Sequence, residues 1–233
     1  LQMGGLFGNM KIPVNNSENK GMIHVEPTAK IGTANVGGIL GVGLLRTYNK
    51  VKQTFTILNC VNNGEVKFGG SNLTETATNA VRIGGISGYT QGSVTSTINN
   101  GKITIYGTRN ANGTIGNAGN DYKNGSYVIA GLVGYKTEGK ITDCQNHGDI
   151  VIEGTFKELH ATNKTQWKIA GIACYLSTDL VGDNVADGEI IISGTIEGEA
   201  DIAGMVAFHY NSISTETSAT NITIKKGAVL SGG

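Results

Sequence analysis

The chain is poor in the residue types on which most active sites are built. Its 233 residues include 2 prolines, 3 cysteines, 4 histidines and 1 tryptophan, with aromatic residues at 6% and charged residues at 15%. Eighteen basic residues balance 18 acidic ones, so the formal net charge is zero and no basic field marks a nucleic-acid or anionic-lipid partner. No stretch reaches the roughly 18–20 consecutive apolar residues of a membrane helix, so membrane insertion of this segment is not expected. Cys60, Cys144 and Cys174 are odd in number and lack CxxC spacing, which argues for buried thiols over a zinc site or a disulfide framework. His24, His147, His160 and His209 share no ligand spacing with carboxylates, and Asp179, Asp183, Asp187 and Glu189 do not fit a calcium loop. No metal and no cofactor is expected.

What the chain has is glycine, 36 residues of it, beside 39% hydrophobic residues. That content is too apolar for disorder and too glycine-rich for helices. Aligned on itself, the sequence shows a block of the form [IVM]-[GA]-G-[ILM]-x-[GAC] six times, from Met3, Val36, Ile83, Ile129, Ile169 and Ile202. Its third position is always glycine: Gly5, Gly38, Gly85, Gly131, Gly171 and Gly204. The intervals of 33, 47, 46, 40 and 33 residues imply loops of unequal length on one repeated unit.

A second block is a glycine followed by alternating apolar residues: Gly64 to Gly70, Gly101 to Gly107, Gly148 to Gly154, Gly188 to Gly194 and Gly227 to Gly233, with Gly21 to Pro27 as a variant. Period-two alternation gives strands with one buried face, carried by Ile23 and Val25, Val66 and Phe68, Ile103 and Ile105, Ile150 and Ile152, Ile190 and Ile192, and Val229. A third short strand fits between the blocks, as at Gly139 to Cys144. The expected fold is all-β: a right-handed β-solenoid of about six three-stranded coils, forming one domain over residues 1–233. Glycines serve its corners and its narrow interior. Asn19, Asn62, Asn99 and Asn146 stand two residues before the strand glycine, where stacked amides bond to one another, and Ala186 and Lys225 break that column.

The run Ala130-Gly131-Leu132-Val133-Gly134-Tyr135, then Lys140-Ile141-Thr142-Asp143-Cys144-Gln145-Asn146-His147-Gly148-Asp149-Ile150, resembles the GLUG repeat of bacterial cell-surface proteins, which reads GGLVGY and then I-x-x-C-x-N-x-G-x-[IV]. The resemblance spans nearly the whole chain and is strongest at Ile129 to Ile152. It implies a secreted or outer-surface bacterial protein, adhesin-like, with a β-helical fold, and implies no reaction and no named ligand; no enzymatic activity is expected. The chain opens inside a motif and is expected to belong to a longer secreted protein. Cys60 and Cys144 occupy the same place two coils apart, about 10 Å, which is beyond disulfide reach.

Candidate ligand contacts are the fourth residues after the invariant glycine, Tyr89, Tyr135, Tyr175 and Phe208, which would stack as an aromatic column suited to sugar rings or simply to packing. Trp167 is a second candidate if exposed. Long connectors near residues 71–81, 108–127 and 155–167 should crowd one edge, either to carry recognition or to cover the apolar strands at Ile83, Ile129 and Ile169. The expected partner is a host or polymer surface, glycan or protein. The rival function is a carbohydrate-active lyase or glycosidase on the same fold. It requires a converging pair of carboxylates or a cationic cluster, and the sequence shows neither as a repeated column.

Overall fold

The structure is a computed structural model, and it describes residues 1–26, 31–70, 77–109, 126–157, 165–209, 216–218, 220–225 and 227–231. The described residues form strands and turns with no helix. Five sheets are parallel; four take one strand from each repeat they cross, and the fifth takes two from each of the last three repeats. Sheet 1 runs Gln2–Gly4, Ile31–Gly37, Ala77–Gly84, Ser126–Ala130, Gln166–Ala170 and Glu199–Ala203 in that order. After the invariant glycine the chain enters sheet 2, made of Phe7–Met10, Leu40–Gly43, Ser87–Thr90, Val133–Lys136, Ala173–Leu176 and Val206–His209. Two sheets of very short strands follow, sheet 3 through Ile57, Val94 and Ile141, and sheet 4 through Asn62, Asn99 and Asn146. Sheet 5 has nine strands and carries the alternating block.

Register is that of the sequence alignment. Ile103 pairs with Ile150, Ile150 with Ile190, and Ile105 with Ile152, all facing one interior. That interior, between sheets 1 and 5, buries Ile83, Ile129, Ile169, Phe68 and Trp167. A separate core between sheets 2 and 3 buries Leu40, Ile57, Val94, Leu132, Ile141 and Cys144. Sheets 1 and 2 back directly onto each other between the two: a Cβ on Gly88 would lie 2.5 Å from the Val36 backbone nitrogen. Burial of each large aliphatic contributes about 1.5–3 kcal/mol.

The asparagine column forms as expected. Asn19 donates from Nδ2 to Asn62 Oδ1, Asn62 to Asn99 and Asn99 to Asn146, each at 2.8 Å. The second proton of each of these amides goes to the carbonyl two residues on, at Gly21, Gly64 and Gly101. The column also accounts for the invariant glycine: a Cβ on Gly85 would sit 2.2 Å from Asn99 Cγ, and one on Gly131 2.2 Å from Asn146 Cγ. Close approach dictates glycine there, not left-handed backbone.

Three expectations need correction. The block around the invariant glycine is two strands, in sheets 1 and 2, and the third strand is also two, because residues in the left-handed region (Asn16, Asn59, Ser96 and Asp143, at φ of 48–53°) turn the chain between sheets 3 and 4; the repeat from Ala77 thus has five strand segments and those from Ser126 and Gln166 have six, not three. The corner is carried mainly by Asn, Ser and Asp, which tolerate that conformation. Finally, the last alternating block is not the one beginning at Gly227. Ile190 pairs with Ile222 and Ile192 with Ile224, while Val229 pairs with Thr195. Thr220 stands where earlier repeats have glycine, which hides this block from the glycine pattern, and the position after Ala186 in the asparagine column is Ser218, not Lys225.

Candidate functional site

The aromatic column exists. Tyr89 pairs with Tyr135, Tyr135 with Tyr175 and Tyr175 with Phe208, with ring centroids 5.6, 4.3 and 5.3 Å apart. The Tyr135 and Tyr175 rings are parallel to within 1°, and Tyr175 is only 8% exposed. Ring faces are therefore turned on one another along the stack. The Arg82 guanidinium lies 5.4 Å from the Tyr89 centroid and 4.4 Å from that of Tyr135, and Lys168 Nζ lies 4.9 Å from that of Phe208. Burial holds Arg82 below its ordinary pKa. Lys168 also pairs with Asp201 at 2.5 Å.

Trp167 is not an exposed platform. It is fully buried, stacked on Tyr127 at 4.2 Å and edge-on to Phe156 at 5.0 Å. The strand Gln166–Ala170 puts it two residues from buried Ile169 and hence on the same face. The signal was present in the sequence, since Trp167 shares the parity of Ile169. The connectors expected to carry recognition fall largely at 71–76, 110–125 and 158–164, outside the described residues.

A feature that the repeat analysis missed is an antiparallel hairpin, Arg46–Tyr48 against Val51–Gln53, which leaves the parallel array between sheets 2 and 3. Asn49 and Lys50, at φ of 48° and 62°, form its two-residue turn, with the left-handed pair that suits strand twist. All six strand residues are exposed, Tyr48 at 58% and Val51 at 60%. Arg46, Tyr48 and Gln53 line an open cavity of about 330 Å³, with the guanidinium 5.6 Å from the tyrosine centroid. Lys52 forms an ion pair with Glu138, and Leu45 N–H donates to Gln91 Oε1 at 3.2 Å, tying the hairpin to the next two repeats. The available clue was the 47-residue interval from Gly38 to Gly85.

The remaining reactive groups are spent on structure. All three cysteines are free and buried, and burial raises their pKa values, that of Cys144 to about 11. Lys136, buried in the second core, donates to the carbonyls of Gly92 and Glu138, and burial lowers it to about 7. His147 pairs with Asp187, His24 with Tyr106 and His209 with the Thr178 carbonyl, while His160 lies outside the described residues. Asp143 and Asp149 accept the backbone N–H groups of Asp183 and Glu189 from the adjacent repeat. Among the described residues no group of three or more His, Cys, Asp or Glu is placed to hold a metal ion. The chain matches no family model, no curated protein and no solved structure among those compared.

Proposed function

We propose that the chain is a β-solenoid of six right-handed coils that works as an extracellular, adhesin-like binding or structural module, as its resemblance to GLUG repeats implies. The observation that carries this reading is the in-register stacking of equivalent residues across repeats, of which Ile103, Ile150 and Ile190 are one column. Parallel stacking of that kind makes a stiff body whose backbone hydrogen bonds are satisfied by its neighbours. Side chains committed to ladders are poorly placed for catalysis, whereas an element that departs from the ladders is free to make contacts. The hairpin at 46–53 is such an element.

Binding of the purified chain to an array of glycans and cell-surface polymers tests the proposal. Retention of at least one polymer or protein surface is expected, with no release of shortened or unsaturated sugar products. Turnover of a bound polysaccharide would replace this reading with the enzymatic one. Tyr135→Ala separates the roles of the aromatic column: if the column only packs, stability falls and binding per folded molecule is unchanged.

A further inference from the structure

We propose that the hairpin Arg46–Gln53 is a recognition site for acidic polysaccharide, engaging a uronic-acid residue in the cavity bounded by Arg46, Tyr48 and Gln53. The inference deepens the binding-module reading and rests on it.

Charge points to the ligand class. In a chain with equal numbers of acidic and basic residues, no carboxylate side chain occurs between Glu26 and Glu65, and the hairpin in that interval carries Arg46, Lys50 and Lys52. Of these, Lys52 is paired with Glu138. Arg46 and Lys50 form no ion pair among the described residues. The hairpin is thus a local cationic projection on a neutral body. Its three cations occupy a few residues and form no extended track, which fits a polymer with spaced carboxylates better than the dense phosphates of nucleic acid.

The side chains in the cavity divide the work that an acidic sugar requires. The planar Arg46 fork matches a carboxylate with two parallel hydrogen bonds. The Tyr48 ring offers an apolar surface for the C–H face of a pyranose. Gln53 supplies one donor group and one acceptor for hydroxyls, and its hydrogen bond to the Val51 carbonyl, at 3.5 Å, is long enough to yield. The volume of about 330 Å³ sits at the small end of ligand-site sizes, as a single ring in an open cleft demands. A two-stranded hairpin alone is marginal in water, but the left-handed turn and the ties to Glu138 and Gln91 hold this one in place before any ligand arrives.

The test is titration of the folded chain with a polyuronate, with the same polymer after its carboxyl groups are reduced to alcohols, and with anionic lipid vesicles. Arg46→Ala and Tyr48→Ala change exposed side chains, so both variants keep the fold, which circular dichroism checks. Expected are binding of the polyuronate, weakened about 10- to 100-fold by Arg46→Ala and about tenfold by Tyr48→Ala, and little binding of the reduced polymer or the vesicles. Equal binding of the reduced polymer overturns the proposal, as does polyuronate binding that both variants leave unchanged or vesicle binding that depends on the same two residues. Failure to bind polyuronate while another polymer or protein surface is retained removes the hairpin assignment and leaves the module standing. Failure to bind anything removes both.

Discussion

The middle repeats and the last one carry the same local pattern and reach different ends. Ile150 and Ile190 are each 1% exposed, yet Ile222, next in the same column, is 44% exposed. The strand Ser126–Ala130 is buried throughout, while its counterpart Glu199–Ala203 exposes its first three residues. Of the ten exposed large hydrophobic residues among those described, Leu1, Leu6, Ile12 and Met22 belong to the first repeat and Ile222, Ile224, Val229 and Leu230 to the last. Burial in this protein is therefore not a property of a strand's own sequence; it is supplied by the repeats on either side. That is the expected behaviour of a quasi-one-dimensional array, in which each unit is stabilised by its interfaces.

The sharpest way to break the comparison uses one sequence position in two places. A Cβ on Gly101 would lie 2.0 Å from the Gly64 carbonyl oxygen, a backbone atom of the neighbouring repeat, whereas a Cβ on Gly21 meets nothing nearer than 3.7 Å. Gly101→Ala should cost about 3–5 kcal/mol by denaturant unfolding and Gly21→Ala under about 0.5 kcal/mol. Equal costs would mean that these glycines do not stack.

A buried lysine gives a contrast of comparable size. One column of sheet 2 runs Thr90, Lys136, Leu176 and His209, and Lys136 within it is fully buried. Lys136 has a folded pKa of about 7 against an ordinary 10.5, so between those values the unfolded chain binds more protons than the folded one. Stability should be flat below pH 7 and rise from there to about pH 10.5, by on the order of 5 kcal/mol. Lys136→Met should abolish the rise attributable to this group, as unfolding at several pH values would show.

Smaller effects attach to the amide column. Asn99→Ala removes hydrogen bonds to two neighbours and should cost about 2–3 kcal/mol, against about 1 kcal/mol for Asn19→Ala, which has one neighbour in the column. Ala186→Asn adds a partner for Asn146 and sharpens the comparison from the other side. It should gain up to about 1 kcal/mol if the side chain is accommodated beside Gly171, where the Ala186 methyl already sits close.

Much of this architecture was legible before any coordinates. Period-two isoleucines and valines gave the strands of sheet 5 and their register, and the asparagines gave their own column, because both depend on side chains that recur at fixed places. Features that do not recur in kind were not legible. The left-handed corner is Asn16, Asn59, Ser96, Asp143 and then Gly182, a conserved geometry written in four residue types. Thr220 in a glycine position shifted the last repeat by several residues. Two cores in place of one could not be read, because Gly88 and Gly134 lie where sheets 1 and 2 touch, and a glycine does not declare which surface it admits. The aromatic column and its packing against itself were legible from the spacing, whereas Trp167, assigned to a connector, lies in a strand, as its parity with Ile169 indicates. The hairpin was hidden in an interval treated as loop.

The most direct test of the central claim is a distance between nitroxide labels at His24 and Thr223, on the outer face of sheet 5 in its first and last alternating strands, in a variant whose three native cysteines are replaced by serine or alanine. These positions belong to one column that passes through Lys67, Thr104, Val151 and Ile191. Five strand spacings predict a single narrow peak in pulsed electron resonance at about 24 Å, broadened by the label linkers. A distance far beyond 35 Å, or a featureless spread, would contradict the account.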